Sequence, residues 1–349
     1  YSCFLWCSGN QALTGPWSMN LTRKIRIAQK IIAAKFYKRY CPLTVSWAIT
    51  RRCRQKCTYC GVVVPKKELS TEEVFTIIDK LSHFGTERIS LTGGEALLRE
   101  DLGDIIDYAK SRDIVCAVNT NGDLLKQVLP KLSNVERITM SFDGPDEVHK
   151  ELRRGNSHHL DVIKLCRTAR IPIVLTTVLS KLNLDAIDYI LDTAQQHNIK
   201  VLFQPAQLNL LGQDKPNPIA LEKPQLQNQI EKLINKKLQG NRSIYNSLSG
   251  LRHLSHWPDV KAIPCWAAKL HCRIDSDGYI YPCGHTTPFY KERPIFYKDL
   301  TDYHQLYDGL PVGCRHCWCA SIVEYNLAIS ARIDSFWNLV ENETHLLNQ

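Results

Sequence analysis

Leu43-Thr44-Val45-Ser46-Trp47-Ala48-Ile49-Thr50-Arg51-Arg52-Cys53-Arg54-Gln55-Lys56-Cys57-Thr58-Tyr59-Cys60 joins an apolar, β-branched run to a C-x3-C-x2-C group of thiols. Residues 43–50 read as a buried strand, which places Cys53, Cys57 and Cys60 on the loop at its end. Three thiolates on so short a loop can hold three irons of a [4Fe–4S] cube and leave the fourth iron without a protein ligand. An open iron is a binding position, so the spacing points to chemistry more than to electron storage. Zinc asks for a fourth ligand in tetrahedral geometry, and the loop offers no further Cys or His nearby.

Downstream, Thr92-Gly93-Gly94-Glu95 closes a second strand-like run. Two glycines let a backbone approach a ligand closely, and a carboxylate after them can accept bonds from a bound amine. Strand-like segments at 43–50, 88–92, 114–119, 137–141, 173–178 and 201–204 alternate with helical ones at 71–84, 102–112, 124–131, 158–170 and 184–197. Ser70 with Glu73 makes a capping-box start for the first helix. Six βα repeats with candidate ligands at strand ends suggest an open (β/α)6 barrel whose site lies on its top face. A doubly wound sheet would have the same periodicity.

The thiol loop and Thr92-Gly93-Gly94-Glu95, taken together, resemble the radical S-adenosylmethionine (radical SAM) family. The resemblance implies an α/β chain with a partial (β/α)6 TIM-like barrel, the radical SAM fold. It also implies a [4Fe–4S] cluster whose open iron chelates the amine and carboxylate of SAM, with Gly93, Gly94 and Glu95 at the amine. In that family the cluster donates an electron, the sulfonium C–S bond breaks, and a 5′-deoxyadenosyl radical abstracts hydrogen from substrate. Ser141-Phe142-Asp143-Gly144-Pro145, with Arg153 further on, is similar to a stretch in several members, the anaerobic sulfatase-maturing type among them. By that resemblance Ser141 and Arg153 meet the carboxylate end of SAM; the alternative is a plain βα turn with a surface arginine. Asn119-Thr120-Asn121-Gly122 resembles the family's Thr-Asn-Gly turn and would put Asn119 at the ribose end, although local turn bonding satisfies it equally. Tyr59 falls where the family places an aromatic near the adenine, or else packs on the loop.

Residues 205–224 carry four prolines and read as a linker, and 225–238 as a helix ending at Gly240. The alternation then stops. Cys265, Gly278 and Cys283 fit C-x12-G-x4-C, with 271–283 as a hairpin turning at Asp275-Ser276-Asp277-Gly278. Cys314-Arg315-His316-Cys317-Trp318-Cys319 follows. Two cysteines from a hairpin and a later C-x2-C can enclose a cluster closed at every iron, suited to electron transfer or structure. A zinc ribbon would use the same four thiols. This region resembles the SPASM/twitch extensions of radical SAM enzymes, and the shortage of further cysteines favours the one-cluster twitch type. The resemblance implies an auxiliary [4Fe–4S] cluster on Cys265, Cys283, Cys314 and Cys317, with Cys272 or Cys319 able to replace Cys265 or Cys317. Cys116 and Cys166 read as small buried hydrophobes. The division expected is 1–40 for an N-terminal extension and basic helix, 41–240 for the barrel, and 241–349 for the auxiliary domain.

Composition agrees with an enzyme of this kind. At 349 residues the chain has room for a large α/β domain and a smaller one. Hydrophobic content of 44% with 23% charged residues is ordinary for a globular protein, and no apolar run reaches the ~18 residues of a membrane span. Of the fourteen cysteines, those that cluster do so at short metal-ligand spacings and not across an extracellular scaffold, which indicates a reducing, cytoplasmic compartment. The net charge of +9 is concentrated in 23–39 and 51–56; a loop around a cluster and an anionic ligand accounts for part of it, which argues against nucleic acid as the partner. Residues 1–18 lack a Met and any period, and read as an upstream extension with the start at Met19. Residues 19–40 form a basic amphipathic helix, expected to pack its stripe on its own domain, with peripheral membrane contact as the alternative.

Glu95, Ser141 and Arg153 separate two classes, because a non-catalytic iron–sulfur electron carrier or redox sensor needs no ligands for a methionyl group. The expectation is an oxidoreductase-type radical SAM enzyme acting on a peptide, protein or natural product and fed by flavodoxin or ferredoxin. A sugar- or lipid-modifying dehydrogenase or epimerase is the alternative within enzymes.

Overall fold

The computed structural model describes residues 21–60, 67–155, 158–210, 215–259, 262–284, 294–308, 317–347 and 349. The expected extension at 1–18, Met19 and Cys314 lie outside these residues. Strands β1 (Thr44–Thr50), β2 (Arg88–Gly93), β3 (Val115–Thr120), β4 (Arg137–Ser141), β5 (Ile173–Leu179) and β6 (Lys200–Pro205) pair in parallel, each with the next. That sequential order is a partial TIM-like barrel; a doubly wound sheet would reverse its strand order partway. The barrel is open, because the free edge of β1 pairs with a later strand and not with β6.

The ladder aligns apolar residues strand by strand: Val45 with Ile89, Ile89 with Cys116, Leu91 with Val118, Val118 with Ile138. Helices α1 (Leu21–Tyr37), α2 (Thr71–His83), α3 (Leu102–Ser111), α4 (Leu125–Val128), α5 (Asp146–Arg153), α6 (His159–Thr168) and α7 (Ile187–Gln196) precede, cross between or follow these strands. On α2 the capping box is present: Ser70 Oγ accepts from Glu73 N at 3.2 Å, and Ser70 N donates to Glu73 Oε2 at 3.0 Å. Its Val74, Ile77, Ile78 and Leu81 are buried, each worth about 1.5–3 kcal/mol of transfer free energy. Cys116 and Cys166 lie in the same core, as small hydrophobes. The sequence reading missed α5, whose charge-rich Asp146-Glu147-Val148-His149-Lys150-Glu151-Leu152-Arg153 resembles a loop. The helix nonetheless buries His149, Leu152 and Arg153 on one face.

Beyond α8 (Lys223–Leu238) and α9 (Leu248–Leu254) come β7 (His271–Ile274), β8 (Tyr279–Tyr281), β9 (Ile295–Phe296), α10 (His304–Asp308), α11 (Ala320–Ile329) and α12 (Ile333–Leu347). β7 runs parallel to β1, with Thr44 opposite His271 and Trp47 opposite Ile274, so the cysteine-rich region lengthens the barrel's own sheet. The β7–β8 turn closes at Gly278, whose φ of +86° suits glycine. A buried two-point ion pair fastens the junction: Arg51 Nε and Nη2 meet Asp275 Oδ1 and Oδ2 at 2.7 and 2.5 Å.

The floor of the barrel is covered by α12. Its Glu343 reaches Arg88 at 3.4 Å and Arg137 at 3.5 Å, while Lys200 donates to Asn342 Oδ1 at 2.6 Å. These are the first residues of β2, β4 and β6. α1 packs Ile27, Ile31 and Ala34 against Leu43, Trp266, Leu270 and Ile329, and points Arg23, Arg26 and Lys30 at the buried Glu87. The face that packs is therefore not the expected apolar stripe, of which Leu21, Ile25, Ala28, Ile32 and Phe36 are exposed; the cations drawn to Glu87 turn the helix the other way.

Candidate functional site

The thiol loop leaves β1 at the top of the barrel and is bound at once to the end of β2. Gly94 N donates to Thr50 O at 2.9 Å, and Glu95 N donates to Arg52 O at 2.8 Å. A Cβ on Gly93 would lie 2.0 Å from Thr50 O, and one on Gly94 2.3 Å from Arg52 O. The glycine pair is thus needed first by the backbone of the thiol loop itself. On its far side the loop is held by α5, where Thr58 N and Oγ1 both donate to Leu152 O, at 2.9 and 3.1 Å. Gln55 is buried and donates to Asp123 Oδ2 at 2.9 Å.

Cys53, Cys57 and Cys60 are half-buried. Burial pushes the Cys57 thiol up to about 11; Arg153 opposes this, and the charges of Cys60 and Cys53 reinforce it. Burial raises Cys53 as well. Thiols that resist ionisation alone and lie within one another's field suit a multivalent cationic centre, which deprotonates the thiols that bind it. Among the described residues no three His, Cys, Asp or Glu side chains converge as a single metal ion would require. A cube takes each thiolate on a different iron, so its ligands need not meet at a point, and three thiols with no fourth fit it.

Glu95 is 2% exposed. Its Oε1 accepts from Leu97 N at 3.1 Å and Thr120 Oγ1 at 2.8 Å, and its Oε2 from Asn121 N at 2.8 Å. Burial raises its pKa while these donors pull it back. The carboxylate therefore ties the end of β2 to the end of β3, a role for Thr120 and Asn121 that the sequence did not reveal. Asn119 Nδ2 donates to Ser90 Oγ at 3.0 Å across the same two strands.

At the end of β4, Asp143 is wholly buried. Its Oδ2 accepts from Arg153 Nε at 2.6 Å and from Tyr59 OH at 3.2 Å, and its Oδ1 from Val178 N at 2.9 Å. Arg153 lies over the Tyr59 ring, 5.4 Å from its centre. Burial alone would lower the arginine's pKa, but Asp143 outweighs it and the pKa is raised. Arg153 is only 8% exposed, so the surface-arginine alternative does not hold. Asp143 engages Nε alone; among the described residues no acceptor meets Nη1 or Nη2. Ser141 stands half-buried two residues ahead of Asp143, opposite Thr176 of β5. His149 and His159 meet next to this group, their ring centres 3.9 Å apart and tilted by 56°; burial first, then His159 and Arg153, push His149 down to about 2 and keep it neutral.

A second thiol group gathers from segments far apart in sequence. Cys317 is raised strongly, by burial first and then by Cys283, Cys265 and Cys319. Asn326, wholly buried on α11, donates to Cys317 Sγ at 3.5 Å, and His253 Nε2 lies 2.9 Å from Cys317 O. Trp318 seals the place against Trp257, with ring centres 4.3 Å apart. Arg273 feels Asp275, Arg51, Cys283 and Cys319, and its Cδ lies 3.2 Å from the position of a Cβ on Gly284. Cys319 belongs with this group. Cys272 does not: it sits in the core opposite Val45, beside Tyr303, where burial pushes it up to about 12.

Residues 47–194 match the family model of the radical SAM superfamily. The chain is 31% identical over 166 residues to Fe-coproporphyrin III synthase of Methanosarcina barkeri, which is 44% of this chain and 41% of that protein. It is 25% identical over 255 residues to the sporulation killing factor maturation protein SkfB of Bacillus subtilis, 70% of this chain and 60% of that protein. The chain thus spans less than two thirds of the length of these relatives. Among solved structures, Streptococcus suis SuiB bound to S-adenosylmethionine superposes with a TM-score of 0.63 at 16% identity, over 84% of this chain and 72% of that one. Native anSMEcpe with bound AdoMet gives 0.59 at 18% identity, over 88% and 98%. Both share the fold.

Proposed function

We propose that this chain is a radical SAM enzyme that cleaves SAM reductively at Cys53, Cys57 and Cys60 and abstracts hydrogen from a peptide, protein or natural product. Those three thiols would hold a [4Fe–4S] cluster, which would supply the electron for cleavage of the sulfonium C–S bond. The chain's own residues bind and orient the cosubstrate. Asp143 fixes Arg153 through Nε and leaves its Nη edge to pair with the SAM carboxylate, next to the Ser141 hydroxyl. Glu95 braces the turn at Thr120 and Asn121, and with the Gly93–Gly94 backbone forms the wall at the amine. Tyr59 lies at the adenine and Asn119 at the ribose end. Cys265, Cys283, Cys317 and one of Cys314 or Cys319 would hold an auxiliary [4Fe–4S] cluster, which would supply an electron acceptor or relay, with flavodoxin or ferredoxin as the proposed reductant. Hydrogen abstraction followed by electron transfer to that second centre would oxidise the substrate, an oxidoreductase-type reaction.

The observation that carries the reading is the buried Arg153, its Nη edge unused, beside three thiols at the top of a barrel. An electron carrier has no use for it. For the substrate, similarity to SkfB covers 70% of this chain and so extends past the matched barrel segment, which favours a peptide. The test is SAM cleavage by the reconstituted, dithionite-reduced protein, read as 5′-deoxyadenosine. A fully iron-loaded protein that neither binds nor cleaves SAM would replace this reading with the electron-carrier one.

A further inference from the structure

The floor of the barrel carries an apolar surface that the chemistry above does not use. α1 and α12 both lie there. Arg23, Arg26 and Lys30 of α1 are drawn to Glu87, the residue before β2, while Glu343 of α12 reaches Arg88, the residue after it. Lys24 of α1 lies within the field of Glu343 of α12, and both helices meet the start of β2, through Glu87 and Arg88. Their inner faces are committed to these ion pairs and to the core.

Their outer faces are apolar. On α1, Leu21, Ile25, Ile32 and Phe36 follow helical spacing and are exposed, Phe36 by 75%. On α12, Ile333, Phe336, Trp337 and Val340 do the same, Ile333 by 74% and Trp337 by 63%. Single exposed apolar residues are ordinary, but two such stripes on one end of a molecule mark a contact surface. The charge around them says what they contact. α1 has five Lys or Arg and no Asp or Glu. Lys24, Lys38 and Arg39 are exposed beside its stripe, and Arg332 stands exposed at the start of α12's. The basic rim flanks the α1 stripe, the composition of a helix that lies in a membrane interface. α12 also carries Asp334, Glu341 and Glu343, of which Glu343 is committed to Arg88 and Arg137 and Glu341 lies 3.1 Å from Lys200. Two copies of the cationic α1 face would repel each other.

We infer that this floor docks on an anionic phospholipid surface, with the two stripes in the interfacial layer and the flanking cations on headgroups. The top of the barrel, with its thiols, then faces away from the bilayer. No helix among the described residues is long and apolar enough to cross a membrane, so the contact is peripheral.

Anaerobically purified full chain is floated with phosphatidylcholine vesicles with and without phosphatidylglycerol, at low and high salt. The expected result is flotation with the anionic vesicles only, reversed by salt. Ile25→Ser/Phe36→Ser/Trp337→Ser and, separately, Lys24→Glu/Lys38→Glu should each weaken partitioning by roughly tenfold or more, with unchanged circular dichroism and 5′-deoxyadenosine production. Wild-type protein that fails to float overturns the inference. So does wild-type protein that dimerises in light scattering while the apolar variant stays monomeric and vesicles compete with neither, which would assign the face to a second copy.

Discussion

The two thiol groups are built on opposite plans. Cys53, Cys57 and Cys60 come from one eight-residue stretch and stay half-buried at the barrel mouth, with Arg153 beside them. Cys265, Cys283 and the Cys317–Cys319 pair come from three segments; Cys283 is buried and Cys265 exposed, Asn326 donates to Cys317 Sγ, His253 meets Cys317 O, and Arg273 lies in the field of Cys283 and Cys319. Three thiols on one loop leave an iron open for a ligand; four thiols from several segments can close every iron. The first plan suits binding and bond cleavage, the second electron transfer at a protected potential.

The largest test of that contrast removes the first group. Cys57→Ala should abolish SAM cleavage and leave about four of about eight irons, held by the second group; retention of cleavage would end the comparison. Cys283→Ala should separate the two functions, still releasing 5′-deoxyadenosine in the absence of substrate while forming no product. Full turnover in that variant would reduce the second group to a structural site.

Arg153→Lys should weaken SAM binding by roughly tenfold to a hundredfold, from the loss of a charge-assisted bond worth about 1.5–3 kcal/mol. It keeps a cation on Asp143, so iron content and fold should hold, and unaltered SAM affinity by calorimetry would remove Arg153 from the site. Arg153→Ala is the poorer probe, since it leaves the Asp143 carboxylate buried and unpaired. The smallest effect is expected at Asn326→Leu. Losing the donor to Cys317 Sγ should make the second centre harder to reduce by on the order of tens of millivolts. Redox titration followed by electron paramagnetic resonance would show it, with the first centre unmoved.

The barrel was legible because its signals are local. Six short apolar runs with helical segments between them, and a capping box at Ser70, need only neighbouring residues to be read. α5 was not legible: its Asp, Glu, Lys and Arg resemble a solvated loop, and only the pocket that buries His149, Leu152 and Arg153 makes it a helix face. The same holds at the site. The spacing of Cys53, Cys57 and Cys60 announces itself, but the partners of Glu95 lie 25 and 26 residues away, and Asp143's hold on Arg153 and Tyr59 spans three elements.

The sequence alone determined the alternating βα order, the thiol loop after β1, the Gly-Gly-Glu after β2 and the presence of a second set of cysteines. Each is written in a short window, where spacing and residue type suffice. Only the tertiary structure decided that Gly93 and Gly94 are required by the carbonyls of Thr50 and Arg52, and that Arg153 is buried on Asp143. It alone decided that Cys319 joins Cys317 while Cys272 stays in the core, and that α1 and α12 share the barrel floor. These are contacts between segments far apart in the chain, set by how strands and helices pack, and no local pattern of residues encodes which distant partner each one meets.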